Sequence, residues 1–320
     1  MILVCGEALI DLFVGPPEGT EMPARAVAGG SPFNVAIGLA RLGISSAFLG
    51  GLSRDQFGML LADVLAREGV DSRFLVRTDR LSTISAIATA PDGQPSYSFH
   101  GEAAADRSLV PEDLPASLPD EIRALTFGSY TMAVEPIGST FAALAEREKG
   151  RRVISVDPNV RPTVIADMAR WAAAAERFYR TATIIKASDE DVRIAFGDKV
   201  SLADAAAFWL GCGARLVVIT QGARGATAFG ACGTVSVPGR TVAVRDTVGA
   251  GDTFHAALLA RLATTGRLDT EAIAGLDRHN VGDLLAYATA AAAVTVTRRG
   301  ADLPSAADVE AMFRESPHAH

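Results

Sequence analysis

Asp246-Thr-Val-Gly249-Ala250-Gly251-Asp252-Thr253-Phe254 runs straight into an apolar helical segment, Phe254–Leu262. Two glycines at a helix start let the backbone turn tightly and aim several unpaired N–H groups at one point. The helix dipole adds its pull on an anion there. A phosphate is the natural guest. Asp252 stands at the same point and has two readings on the residues alone: it caps the helix, or it takes the proton from a hydroxyl that attacks phosphorus.

Upstream of this turn, short β-rich runs alternate with longer helical ones, the pattern of an α/β protein with a mostly parallel sheet. The expected strands are 2–5, 47–50, 124–127, 152–157, 183–186 and 216–220. The expected helices are 32–42, 55–68, 136–148, 165–178 and 202–210. The strand runs are apolar without alternation, as expected where helices cover both faces of a sheet. After Gly222 the pattern changes to short strands at 225–230 and 234–237, then two apolar helices near 252–262 and 281–296. Two segments break the alternation. Residues 9–27 carry Pro16, Pro17, Gly19 and Pro23, and 84–99 reads as strand, turn and strand around Pro91-Asp92-Gly93. Together they suit a small extra β-layer over a site; two ordinary surface hairpins are the alternative.

Composition narrows the function. The chain has 320 residues, is 49% hydrophobic and can bury a sizeable core, which excludes intrinsic disorder. Thirty Lys and Arg stand against 37 Asp and Glu, so no global charge attracts nucleic acid or anionic lipid. Aromatics at 6% are too few for base-stacking platforms. Cys5, Cys212 and Cys232 are odd in number and lack metal-ligand spacing, which points to reduced thiols in the cytoplasm. The N-terminal run is apolar but carries Glu7 and Asp11 and no basic start, so it does not read as a signal peptide. No apolar run approaches the ~20 residues of a membrane helix.

Three further stretches carry polar groups to strand or helix ends. Gly29-Gly30-Ser31-Pro32-Phe33-Asn34 opens a helix with Ser31 as an N-cap, Pro32 at the first helical position and Gly43 as its stop. Asn34, an amide in the first turn of an apolar helix, could hold a ligand hydroxyl. Thr220-Gln-Gly222-Ala-Arg-Gly225 follows a strand, where an open parallel sheet places its ligands. Ser155-Val-Asp157-Pro-Asn159-Val-Arg161 ends another and puts two acceptors and a guanidinium at the same edge. A P-loop, a dinucleotide fingerprint, a His-Glu-x-x-His run and a Gly-x-Ser-x-Gly elbow are all missing.

Gly29–Gly43 and Asp246–Leu262 resemble the two signatures of the ribokinase-like (PfkB) carbohydrate kinases. Gly6-Glu7-Ala-Leu-Ile-Asp11, Asp157-Pro-Asn159-Val-Arg161, Thr220-x-Gly222-x-x-Gly225 and Thr297-Arg-Arg-Gly-Ala301 extend the resemblance over nearly the whole chain. Tyr97-Ser-Phe99-His100-Gly-Glu102-Ala-Ala-Ala-Asp106-Arg107 makes it most similar to the bacterial fructokinase group. The resemblance implies one ribokinase-like α/β kinase domain over 1–320: a central, mostly parallel sheet flanked by helices, with a β-lid from about 9–27 and 84–105. It implies ATP, Mg2+ and a sugar as ligands, with Asp252 as the base and the N–H groups of Gly249, Ala250 and Gly251 as the anion hole. Asp11, Gly30 and Asn34 would hold sugar hydroxyls, with Arg161 near sugar or phosphate. Lys186, Ser188, Thr220, Gly222, Gly225 and Thr289 would lie at the nucleotide, Thr289 standing where relatives often carry Asn. The family's magnesium-linked Asn-x-x-Glu appears as Ser188-Asp-Glu190-Asp191, so Asp191 and its rival Glu190 would act through water. Asp246 offers a contact for potassium, as in some relatives. A homodimer is a further family expectation. Fructose is the expected substrate; 2-keto-3-deoxygluconate, a nucleoside, or a catalytically dead sugar-binding role are the alternatives.

Overall fold

The computed structural model describes residues 1–89, 95–165 and 167–314, so the expected Pro91-Asp92-Gly93 turn lies outside the described residues. The strands are β1 Ile2–Cys5, β2 Leu9–Val14, β3 Ala24–Gly29, β4 Ser46–Ser53, β5 Leu75–Thr78, β6 Ile84–Thr89, β7 Pro95–His100, β8 Ala124–Gly128, β9 Val153–Asp157, β10 Ile184–Ser188, β11 Leu216–Thr220, β12 Ala226–Gly230 and β13 Gly233–Val237. The helices are α1 Ser31–Arg41, α2 Gln56–Arg67, α3 Ile137–Glu148, α4 Met168–Tyr179, α5 Asp189–Phe196, α6 Leu202–Cys212, α7 Ala250–Thr264, α8 Thr270–Ala274, α9 Arg278–Val296 and α10 Ala306–Arg314.

Among the described residues, nine strands form one sheet in the order β13-β12-β11-β10-β9-β8-β1-β4-β5. It is parallel from β11 to β5, and β12 and β13 extend it antiparallel. The apolar strand runs are explained by burial on both faces. Ile2 and Val4 of β1 pack with Val35 of α1, Leu61 of α2, Leu258 of α7 and Leu285 of α9. Leu3 and Cys5, pointing the other way, join Phe127 with Phe141 of α3, Phe178 of α4 and Trp209 of α6.

The segments at 9–27 and 84–99 do form a layer of their own. Four strands pair in the order β3-β2-β6-β7, with β2 and β6 parallel and both outer pairs antiparallel. Expected helix starts at 55 and 165 move inward because Asp55 and Asp167 serve as N-caps, accepting from the N–H groups of Gly58 and Arg170. β5, α5, α8 and α10 are elements beyond those expected from the sequence pattern. Two are a four-residue edge strand and a five-residue helix, too short to show a period.

Phe127 lies at the centre of its face, with ring centroids 5.7 Å from Phe141 and 5.6 Å from Phe178. Phe127→Ala should lower unfolding free energy by about 3–5 kcal/mol, the usual result of removing a buried aromatic ring. Urea denaturation of both proteins measures it.

Candidate active site

At the carboxyl ends of the parallel strands, below the four-stranded sheet, lies a cleft of about 920 Å³. Two helices begin at its floor. Gly38 lets them cross closely: a Cβ there would stand 2.9 Å from Ala256 Cβ of α7. One turn nearer the N-terminus of each helix, the same approach brings Asn34 to Asp252. Asn34 Nδ2 donates to Asp252 Oδ2 at 2.8 Å and Ser31 Oγ to Oδ1 at 2.6 Å. Two expectations change here. Gly30, at φ 111°, is the N-cap of α1, which leaves Ser31 inside the helix to serve Asp252. Asp252 caps nothing: Gly249 is the N-cap of α7, and the carboxylate lies in the first turn.

Gly249 adopts the left-handed conformation, φ 78°, and any Cβ would collide with Ala301 at 2.7 Å, so the turn requires glycine. The result is a helix start whose first-turn N–H groups border the cleft. Burial raises the Asp252 carboxyl above the usual range, while the Ser31 and Asn34 bonds and the charge of Lys186 pull the other way.

Lys186 does not line the cleft. It is buried and pairs with Asp157, Nζ to Oδ2 at 2.7 Å. Nζ would stand only 3.3 Å from a Cβ on Gly251, so the cation sits beneath the glycine turn. Burial opposes its charge, but the charge and hydrogen bond of Asp157, then Asp191 and Asp252, raise its pKa above the normal lysine value. His255, on α7, completes this buried group. Nε2 is 2.7 Å from Ser155 Oγ and Nδ1 is 3.7 Å from Asp157 Oδ2. Burial, helped by the Lys186 charge, lowers the imidazole to about 3, so it is neutral. Of the polar groups expected at the edge of β9, Ser155 and Asp157 therefore face inward, and Asn159 and Arg161 line the cleft.

The four-stranded sheet turns one face to the cleft. Leu9, Asp11 and Phe13 of β2 line it at strand period two, with Ser85 and Ile87 of β6 and Phe99 of β7. Asp11 sits opposite Ser85 in the ladder and accepts its hydroxyl. Burial raises the Asp11 carboxyl to about 6, with Asp252 adding to the rise and Arg161 opposing it. Gly30 and Asn34 line the same end. Glu7, Ser129 and Tyr130 also do, and the sequence reading did not single them out as site residues. The signal for Glu7 was a carboxylate inside an otherwise apolar N-terminal run.

At the other end the cleft meets Ser188, Thr220, Gly222, Gly225 and Thr289. Thr289 Oγ1 is buried without a hydrogen-bond partner among the described residues. The Ser188–Asp191 stretch is a helix start. Asp191 Oδ2 accepts from Ser188 N at 2.8 Å and Ser188 Oγ at 2.6 Å, and Oδ1 accepts from Val160 N at 2.7 Å. Glu190 is exposed beside Arg193. No three His, Cys, Asp or Glu side chains among the described residues gather as a metal cage. The donor set fits a Mg2+ that arrives on a nucleotide and keeps its water, since such ions take one or two carboxylates plus phosphate oxygens. Asp246, the expected potassium contact, accepts from Val248 N at 3.1 Å and Gly300 N at 2.8 Å. Its visible task is to fasten the glycine turn to the turn at 300.

The pfkB family carbohydrate kinase model matches residues 1–308. The chain belongs to this family. It is a carbohydrate kinase by descent, a phosphotransferase acting on a sugar hydroxyl, and the ribokinase-like fold expected from the two signatures is the one found. A fructokinase from Rhizobium leguminosarum bv. trifolii is 43% identical over 277 residues, 87% of this chain and 84% of that protein. The structure of a fructokinase with bound ATP from Xylella fastidiosa superposes with a TM-score of 0.90 at 29% identity, covering 98% of both chains. A Vibrio cholerae O395 fructokinase with fructose, ADP and calcium ion gives a TM-score of 0.82 at 28% identity, again over 98% of both chains. Among the described residues no helix is long and apolar enough to cross a membrane.

Ser31 stabilises the ionised Asp252 without lying in the glycine turn. In Ser31→Ala the acid limb of kcat should therefore move to higher pH, because removing a donor favours the protonated carboxyl. A pH–rate profile at saturating substrates reads the shift. A limb that stays in place, or moves to lower pH, contradicts the assignment of that limb to Asp252.

Proposed function

We propose that the chain transfers the γ-phosphoryl group of ATP to a hydroxymethyl oxygen of fructose, giving fructose 6-phosphate and ADP. The observation that carries this reading is the meeting of Asp252 with the first turns of α1 and α7 in one cleft, flanked by Asp11. The relatives with fructokinase activity in their names support the choice of sugar.

In this reading the sugar lies between the four-stranded sheet and the α1 start, with hydroxyls on Asp11, Asn34 and the backbone of Gly30. Asp252 removes the proton from the attacking hydroxyl as its oxygen bonds to the γ-phosphorus and the bond to the β-phosphate oxygen breaks. The proton stays on Asp252 until solvent takes it. The N–H groups of the Gly249–Gly251 turn face the charge on the phosphoryl oxygens, and buried Lys186 adds positive potential from below. Arg161 lies where it can meet sugar or phosphate. Thr220, Gly222 and Gly225 line the nucleotide end, and the unpartnered Thr289 hydroxyl is a donor for the base. Bound Mg2+ would neutralise phosphate charge, held through water by Glu190 and Asp191. The four-stranded sheet closes over the sugar and keeps water from the γ-phosphate, without which a kinase hydrolyses ATP.

Asp252→Asn preserves shape and removes the base. Its kcat should fall by at least ~10²–10⁴-fold, with little change in sugar or ATP affinity. Steady-state kinetics with binding titrations would separate the two, and a variant keeping a third of the wild-type kcat would exclude Asp252 as the base.

The sugar end favours a neutral substrate. No Lys or Arg occurs from Leu81 to Asp106, and Arg25 on β3 stacks its guanidinium 4.9 Å over the Phe13 ring. A carboxylated sugar would bury its charge beside Asp11 and Asp252 with Arg161 as the cation at hand, at a cost of several kcal/mol where pairing fails. We expect kcat/KM for fructose to exceed that for 2-keto-3-deoxygluconate by at least ~10-fold, the ratio of one ~1.4 kcal/mol interaction. A side-by-side ADP-release assay decides, and the reverse order would replace the sugar while leaving the kinase chemistry intact.

A further inference from the structure

At the sugar end of the cleft several side-chain donors are already engaged, and Arg161 and the second amide N–H of Asn34 are among those left for a sugar. Asn34 and Ser31 donate to Asp252, and Ser85 donates to Asp11. Tyr130 donates its hydroxyl to Asp106 Oδ2 at 2.7 Å, and Asp106 also accepts from Thr83. Arg107 is held over the Tyr130 ring, 5.1 Å from its centroid. A neutral polyol presents every hydroxyl as both donor and acceptor, so its acceptor sides need partners.

Glu7 is placed to be one. It follows β1, is only 2% exposed, and lines the cleft with Asp11, Ser129 and Tyr130. Gly30, on the sugar side, packs so closely that a Cβ would lie 2.9 Å from the Glu7 carbonyl oxygen. Thr131 Oγ1 lies 3.4 Å from Glu7 Oε2, but its single proton has a better acceptor in Gly128 O at 2.9 Å. Thr131 therefore offers the Glu7 carboxyl little stabilising donation.

We infer that Glu7 works as an uncharged carboxylic acid that donates a hydrogen bond to a sugar hydroxyl and so helps select neutral polyols. The inference rests on the sugar reading of this end of the cleft. Its surroundings agree. Burial raises the Glu7 carboxyl to about 8, and the nearby charge of Asp106 adds to the rise. The Ser129 hydroxyl, a backbone bond and the more distant Arg161 oppose it. Tyr130 is itself held protonated by burial and by Asp106 and Glu7, and Arg107 lies behind it. Asp11 and Asp252 are the other carboxylates at this end of the cleft, and Asp189, Glu190 and Asp191 lie at the nucleotide end.

The test measures KM for sugar and for ATP from pH 6 to 9.5 in wild type, Glu7→Gln and Glu7→Ala. It uses whichever sugar in a panel gives the highest kcat/KM, so a wrong choice of fructose overturns the earlier assignment and leaves this one measured. Wild-type KM for sugar should be level to about pH 8 and then rise, approaching tenfold per pH unit as the donor proton is lost. Glu7→Gln keeps a neutral donor and should stay level, within about threefold of wild type at pH 7. Glu7→Ala should raise the sugar KM at least about tenfold at pH 7. KM for ATP should follow none of these changes, which a general loss of structure would not spare. Glu7→Gln carries the test by itself should the alanine variant not fold. A Glu7→Gln profile rising in parallel with wild type, or an alanine variant with wild-type sugar KM, overturns the inference.

Discussion

Asp252 accepts from two residues of another helix more than two hundred positions away in sequence, and much of the site is arranged around that contact. Helix starts carry partial positive charge, so two of them converge only where a negative group stands between. The carboxylate supplies it, and the close crossing at Gly38 and Ala256 keeps the geometry fixed. The same carboxylate is thereby kept hydrogen-bonded yet open to the cleft. Structural and chemical demands coincide on one side chain.

Charge is layered beneath and around it. Below the glycine turn, Lys186 is balanced by Asp157, and neutral His255 braces that pair from α7. Above, Asp11 and Glu7 are raised by burial, so the sugar end carries fewer full charges than its acid count implies. An anion reaching the α7 start thus meets the N–H groups of that helix start, with the Lys186–Asp157 pair beneath them and Asp252 beside them. This arrangement fits a phosphoryl group approaching from the nucleotide side and a neutral partner approaching from the other.

The sequence showed most of the frame because the frame is buried on both faces. Val153–Asp157, Ile184–Ser188 and Leu216–Thr220 could hardly be read otherwise, and the proline-rich and hairpin segments stood out by failing the same pattern. What stayed hidden depended on partners distant in sequence. Lys186 was read as a ligand contact, but its position is set by Asp157, on the neighbouring strand. Ser31 looked like a cap because Ser at a helix start usually is one; the positive φ of Gly30 moved the cap by one residue. Ser188 and Asp191 have a spacing that serves a capping box as well as a metal, and only the three bonds to Asp191 show the first use.

Those three bonds reach further than the start of α5. One oxygen of Asp191 holds Val160, next to Arg161, and the other holds Ser188 at the opposite end of the cleft. The strand-end loop of β9 and the start of α5 are therefore one strut rather than two walls. Any free energy that a ligand at one end gains by stiffening this strut is available, in equal measure, to a ligand at the other. A ligand that stiffens this strut from one end would thereby favour, through a single buried carboxylate, a ligand that meets it at the other.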